Sequence, residues 1–342
     1  MTFLGKSSIV WPDETHASKQ ASSLIQSRKL QFSMFTRIVS FLPSATEILY
    51  LLGSQDLLFG VTHQCNFPSQ AKNKPLVIKP VFDSESMTSV QIEEKIQELS
   101  RLQKDYFIVE YELLKEIQPD LIISQGLCEV CSPHTRETDK VIQYLDEKPQ
   151  TLVLDPHKVE DILQNIIDVA KTVGKETDGR QICASLTRRI ENILTTVKSN
   201  KPKVICLEWF DPYYICGHWV PQMVEIAGGI NGISLTGERS RKMDFSEIVE
   251  FDPDILILLP CGFDLERIKR EYDSLSHNHQ WNSLRAVRTD MVFAVDALSY
   301  FSRPSPRIIT GIEILAKIFN PQSFTNLITP SNAYVRIKKE LG

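Results

Sequence analysis

The chain has 342 residues, 42% of them hydrophobic and 24% charged, a balance that excludes a disordered chain and leaves room for two domains of ordinary size. Its formal net charge of −5 supplies no general attraction to nucleic acid or an anionic membrane, and no nucleic-acid partner is expected. No apolar run approaches the roughly 20 residues needed to cross a bilayer, so no membrane span is expected either.

Residues 1–36 are expected to be a disordered extension ahead of the domain. They contain no continuous apolar h-region and no evident signal-peptidase site, which points to a cytoplasmic location. From Ala17 to Arg37 the segment is Ser-rich, basic and free of acids, as organelle transit peptides are, and Asp13 and Glu14 count against that alternative. Met34 lies close enough to the first strand to be a second candidate start. Seven cysteines, an odd number in a chain this large, do not form the pattern of a disulfide framework and suggest a reducing setting.

From Arg37 the chain alternates apolar strands with amphipathic helices. Arg37–Leu42 is a short strand, and Ser44 with Glu47 three residues on has the form of a capping box opening the helix Ile48–Leu52. The free N–H groups of such a helix start favour a polar or anionic group. Leu57–Val61 is a second strand, ending in the loop Thr62–Pro68. Helices are expected over Val90–Leu102 and Phe107–Ile117. Buried strands follow at Asp120–Ser124 and Thr151–Leu154, with a helix over Val141–Leu145 between them. This strand–loop–helix order is that of a largely parallel sheet.

Val159–Val197 has no strand and reads as a long helical tract broken around Gly174 and Gly179, with Ile182, Leu186, Ile190 and Ile193 on one stripe. The α/β alternation then restarts. Val204–Leu207 has the unbroken hydrophobicity of a strand buried on both faces. It leads into a loop rich in aromatic and polar groups (Glu208, Trp209, Tyr213, Cys216, His218 and Trp219), and Pro221 opens the next helix. A helix at Phe245–Phe251, a strand at Ile255–Leu259, a helix at Leu265–Tyr272, a turn at Trp281–Ala286, a strand at Met291–Val295 and a helix at Ile308–Phe319 complete the pattern. QPDLIIS at Gln118–Ser124 and DPDILIL at Asp252–Leu258 occupy equivalent places in the two halves.

The expected organisation is therefore a first α/β lobe at 37–158, a linking helical segment at 159–200, a second lobe at 201–322 and a tail at 323–342. In parallel sheets ligands bind beyond the carboxyl ends of the strands. Two facing lobes would place their strand-end loops across one cleft.

Those loops carry several groups of interest. Glu208 follows a buried strand and suits a base or a ligand anchor, or a bond to its own loop backbone. Arg303 and Arg307 flank two prolines and carry the fork that fits a carboxylate or phosphate, although capping and lobe-surface ion pairs use the same residues. Cys65, Cys128, Cys131, Cys216 and Cys261 all fall in strand-end loops, and Cys128 and Cys131 form a CxxC. With His63 and His218 nearby in sequence, these thiols could ligate zinc or an iron–sulfur cluster, act as a redox pair, or simply pack under aromatic rings. Cys183 and Cys206, inside a helix and a strand, read as small buried side chains.

The segment RIVSFLPSATEIL, the PDLII strand, the linking helix, and W-x-x-L-x-A-V followed by MVFAVD together resemble the class III periplasmic substrate-binding proteins. These bind cobalamin and iron-siderophores for ABC importers, and the likeness is to the cobalamin-binding branch over about Arg37–Pro321. The resemblance implies two Rossmann-like lobes with parallel central sheets, joined by one long spine helix of the helical-backbone metal-receptor type. It implies binding of a small-molecule ligand, a corrinoid such as cobalamin, without chemistry; a stiff hinge that closes little; an ABC permease as partner; and a monomer. By position it implies a ligand face made of Pro43, Ser44, Ala45, His63, Trp209, Tyr213, Trp219, Phe263, Tyr300 and Phe301, to which Glu208 and Arg303 are added from their own chemistry. The rival expectation is a cytosolic metalloprotein or iron–sulfur enzyme using the cleft cysteines.

Overall fold

The computed structural model describes residues 35–127 and 135–338, which lie within one compact unit, Phe35–Gly342. Residues 1–34, with Met34, and Cys128–His134, which include the CxxC, lie outside the described residues.

In chain order, β1 (Ile38–Ser40), α1 (Pro43–Leu51), β2 (Leu58–Thr62), β3 (Leu76–Pro80), α2 (Ser89–Arg101), β4 (Phe107–Val109), α3 (Tyr111–Ile117), β5 (Leu121–Gln125), α4 (Thr135–Tyr144) and β6 (Gln150–Leu154) build the first lobe. Its six strands run β4-β3-β2-β1-β5-β6. All neighbours pair in parallel except β4, which runs antiparallel to β3. The central strands β1 and β5 are buried at every position, which is why they read as continuous apolar runs rather than as alternation.

Next come α5 (Val159–Thr172) and α6 (Glu176–Thr196). The break between them sits at Gly174, whose φ of +71° closes α5, with Gly174 N–H donating to Lys171 O (3.1 Å) and Lys175 N–H to Ala170 O (2.7 Å). Gly179 is not a break. It lies inside α6, where a Cβ would stand 2.5 Å from that of Ala170, so its missing side chain lets α6 lie close on α5. Helix α5 packs on α1 of the first lobe, and α6 packs on the last helix of the second. At 21 residues, α6 spans about 30 Å and serves as the spine.

The second lobe contains β7 (Lys203–Phe210), β8 (Tyr213–Ile215), α7 (Val220–Ile226), β9 (Ile230–Asn231), β10 (Arg241–Lys242), α8 (Phe245–Phe251), β11 (Ile255–Leu258), α9 (Leu265–Ser276), α10 (His279–Ser283), α11 (Arg285–Arg288), β12 (Val292–Val295), α12 (Ala297–Tyr300), α13 (Ile308–Phe319) and β13 (Tyr334–Ile337). Its sheet runs β10-β8-β7-β11-β12-β13, with β9 beside β7. The centre β7-β11-β12 is parallel, while β8 and β13 add antiparallel strands.

The repeated PD segments do the same work in both lobes. Gln118 and Asp252 each end a helix in the left-handed region (φ +47° for both), and the following Asp120 and Asp254 carboxylates accept the backbone N–H of Arg37 (3.0 Å) and Lys203 (2.7 Å). Each carboxylate thereby joins its strand to the start of the neighbouring central strand.

Several elements differ from the sequence expectation. Phe107–Val109 is a strand, not the start of a helix: three apolar residues fit either period, and pairing with β3 decides between them. β3 and β13 were not expected; β13 lies in the segment assigned to a tail and completes the sheet edge on β12. Glu208 and Trp209 belong to β7, because Asp211-Pro212, a cis peptide, turns the chain into the β7–β8 hairpin. The Ser44–Glu47 capping box does not form. Pro43 opens α1 with Leu42 at the cap position and no side-chain cap, so Ser44 is a buried first-turn residue and Glu47 faces elsewhere.

Candidate functional site

The carboxyl ends of the parallel strands from both sheets meet along a seam between the lobes. From the first lobe come the start of α1, the loop His63–Phe67 after β2, and Asp155–His157 after β6. From the second come the end of β7, Cys261–Phe263 after β11, and the segment Asp296–Arg307 after β12.

The floor of the seam is charged. Glu47 is buried in α1, and Arg307 from the other lobe meets it on both oxygens, Nε to Oε2 at 2.9 Å and Nη2 to Oε1 at 2.5 Å. The Arg307 guanidinium also lies over the Phe67 ring, 4.0 Å from its centroid. Arg303, only 6% exposed, donates from Nη1 to Asn66 Oδ1 at 2.7 Å, and the same nitrogen stands 3.9 Å from Glu47 Oε1. Its Nη2 is buried with no hydrogen-bond partner. Burial pushes the Arg303 pKa down, against the pull of Glu47.

An aromatic wall stands beside this floor. Trp209 meets Phe263 edge-on with ring centroids 5.3 Å apart, and the Arg267 guanidinium lies over the Phe263 ring, 3.7 Å from its centroid. The indole Nε1 of Trp209 is buried without a partner, and so is Nδ1 of His63. Burial pushes the His63 pKa below the ordinary histidine value, with Arg303 adding to the effect. On the far side of the seam, His157 and His218 face one another from opposite lobes at 5.8 Å. His218 is likewise held below the ordinary value, first by burial and then by His157.

The mouth is strapped. Ser84 O and Met87 O accept from Arg267 Nη2 at 2.7 and 2.8 Å, and Glu271 accepts from Ser89 Oγ at 2.7 Å. These bonds tie the start of α2 to α9 across the lobes. A polar hollow of about 470 Å³ lined by Ser86, Met87, Gln91, Glu94, Lys95 and Glu98 lies on the α2 side of the strap. It has none of the aromatic wall that a buried ligand site needs, so the strand-end seam is the stronger candidate.

Of the expected ligand face, the structure brings His63, Trp209, Tyr300 and Arg303 to the seam, with Tyr300 5.9 Å from the Arg307 guanidinium, and Phe263, 3% exposed, lies behind Trp209 and Arg267. Pro43, Ser44 and Ala45 are buried in the first turn of α1. Trp219 and Phe301 are interior, 5% and 1% exposed, and the Trp219 indole donates to Phe301 O at 2.9 Å. Tyr213 packs against Phe245 at 5.8 Å, and Glu208 accepts from Ser240 Oγ. The sequence reading missed Asn66, Phe67, Arg267 and Glu271. It also missed the importance of Glu47, whose signal was a lone acid in the apolar helix PSATEILYL.

The metal reading finds no support. Among the described residues no group of three or more His, Cys, Asp and Glu side chains is placed to hold a metal ion. Cys65 is buried, its sulfur 3.1 Å from Thr46 Oγ1, and burial pushes its thiol pKa up. Cys216 sits opposite Cys206 on the β7–β8 pair, and burial holds both thiols well above the usual range. The Arg303 cation is electrostatically coupled to Cys65 and Cys261, and a resident cation there disfavours a metal ion beside the same thiols. His218 faces His157 rather than the thiol of Cys216.

With this geometry in hand, the chain can be set beside known proteins. A family model described as "Periplasmic binding protein" matches residues 38–298. The chain belongs to that family. It is 23% identical over 286 residues to a vitamin B12-binding protein of Vibrio cholerae, covering 81% of this chain and 86% of that one. It is 22% identical over 295 residues to an uncharacterized ABC transporter substrate-binding lipoprotein of Bacillus subtilis, covering 84% and 81%. The periplasmic heme-binding protein of Roseiflexus sp. RS-1 in its apo form shares the fold with a TM-score of 0.62 at 20% identity, over 84% of this chain and 99% of that one. These matches overturn the expected cytoplasmic location: the family is one of periplasmic proteins, and the Bacillus relative is a lipoprotein. No described helix is long and apolar enough to cross a membrane.

Two predictions follow from the seam. Glu47→Gln leaves Arg307 without its carboxylate in a buried setting and is expected to cost about 3–5 kcal/mol of folding stability by urea titration; a loss below about 1 kcal/mol would contradict this assignment. His63 and His218 have folded-state pKa values below the unfolded one, so the unfolded chain takes up protons first as pH falls. Stability is therefore expected to decline as pH drops below about 6.5, and less steeply in the His63→Gln/His218→Asn double variant.

Proposed function

We propose that the chain binds a metal-chelating tetrapyrrole, cobalamin or a haem, in the seam between its lobes, and presents it to an ABC permease. The observation that carries this reading is the row of buried polar atoms without partners, His63 Nδ1, Trp209 Nε1 and Arg303 Nη2, set beside the Trp209–Phe263 wall. Buried polar groups are costly to leave unsatisfied. A flat ligand with an apolar face and polar edges would stack on the wall and meet those atoms together. The relatives named for vitamin B12 and for heme support the same class of ligand.

Binding in this reading needs no covalent step. Opening requires the Arg267 and Glu271 bonds to the start of α2 to separate, while α6 keeps the lobes in register, so closure is small. Between the two ligands, cobalamin is preferred, because the Vibrio relative named for it is similar over four-fifths or more of both chains.

Titration of the protein with hydroxocobalamin, and separately with haem, is expected to shift the visible spectrum of one of them with one-to-one stoichiometry. Trp209→Ala is expected to weaken that binding by about 2 kcal/mol, the loss typical of a central aromatic anchor. No spectral change with either ligand, or a Trp209→Ala protein that binds as tightly as the native one, would contradict the reading.

A further inference from the structure

Among the described residues, Glu47 is the carboxylate within ion-pair distance of both guanidiniums on the floor of the seam. Arg307 occupies both oxygens of Glu47, at 2.9 and 2.5 Å. Arg303 reaches that carboxylate only at 3.9 Å, beyond hydrogen-bonding distance, and donates instead to the neutral amide of Asn66. The other groups that act on it electrostatically are Arg307 and the thiols of Cys65 and Cys261, and burial holds the Cys65 thiol pKa above its ordinary value. A guanidinium only 6% exposed, with Nη2 unpartnered and, among the described residues, no carboxylate nearer than the shared Glu47 at 3.9 Å, is in a costly position that a ligand's negative charge would relieve.

We propose that Arg303 receives an oxyanion arm of the ligand, a carboxylate or a phosphodiester, through Nη2, with the Asn66 amide holding the guanidinium in place from the opposite lobe. This deepens the tetrapyrrole reading and rests on it. The planar arginine fork suits the assignment, since Nη1 stays with Asn66 while Nη2 donates to the arm. Because Asn66 belongs to the first lobe and Arg303 to the second, the arm is read where the lobes meet, and its charge favours the closed form.

Haem carries carboxylate arms that its dimethyl ester lacks, and cobalamin carries a phosphodiester that cobinamide lacks. The test is calorimetric binding of all four compounds, and of inorganic phosphate, to the native protein and to Arg303→Gln and Arg303→Lys. The native protein is expected to prefer the charged member of the pair it binds by about 10- to 100-fold. Arg303→Gln is expected to lose that preference by weakening the charged member alone, and Arg303→Lys to keep part of it. Equal affinity of the native protein for both members overturns the proposal without needing any variant to fold. Equal weakening of both members in a folded Arg303→Gln protein also overturns it. Phosphate that binds alone and competes with none of the four compounds assigns Arg303 to the free anion and overturns the ligand arm. Failure of all four compounds to bind instead overturns the tetrapyrrole reading itself.

Discussion

The carboxylate of Glu47 is the constraint around which the two lobes are arranged. It projects from the buried part of α1, Pro43–Leu49, where it is the one charged side chain and a charge cannot stay without a partner. The partner comes from the other lobe, 260 residues further along the chain. A buried ion pair of this kind is weak evidence for net stability, because desolvation offsets much of the Coulomb gain. Its value is positional. The pair holds the β12–α13 segment against α1, and with that fixed, the strand ends of both sheets converge on the same seam.

The pairing leaves a surplus. Among the described residues both floor arginines converge on Glu47, and Arg303 keeps a buried Nη2 without a partner, as do His63 Nδ1 and Trp209 Nε1. Proteins tolerate such groups at sites where something else completes them. The strap from Arg267 and Glu271 and the spine helix α6 then limit how far the lobes can part, which suits a protein that takes up a ligand and gives it back unchanged.

The architecture was legible in the sequence because parallel strands buried on both faces leave unbroken apolar runs, and because the PD motif repeats at equivalent strand starts in both lobes. The final helix, Ile308–Phe319, matches its apolar stripe residue for residue. What escaped were short strands at or near sheet edges, the parallel β3 and the antiparallel β4, β8 and β13, where pairing rather than periodicity decides the state. The hairpin after β7 escaped for the same reason, since one turn moved Glu208 and Trp209 from a loop into a strand. At the site, residue type pointed to aromatic and basic side chains, and the structure places Trp209, Tyr300 and Arg303 at the seam. Distances were beyond reach, and so Cys65, Cys216 and Cys261, all near strand ends, were overvalued as metal ligands, whereas Glu47 looked like part of a helix cap. Sequence proximity placed Cys216 with His218, but the two, separated by Gly217, have different surroundings, Cys216 buried in the core and His218 facing His157 across the seam.

Hydrogen–deuterium exchange with and without saturating hydroxocobalamin or haem tests the central claim most directly, because it locates the ligand along the chain. The account predicts slowed exchange in the loop His63–Phe67, at the β7–β8 hairpin around Trp209, at Cys261–Phe263 and across Tyr300–Arg307, drawn from both lobes at once. Protection confined to one lobe, or to the outer face of α2 around Glu94 and Glu98, would contradict it.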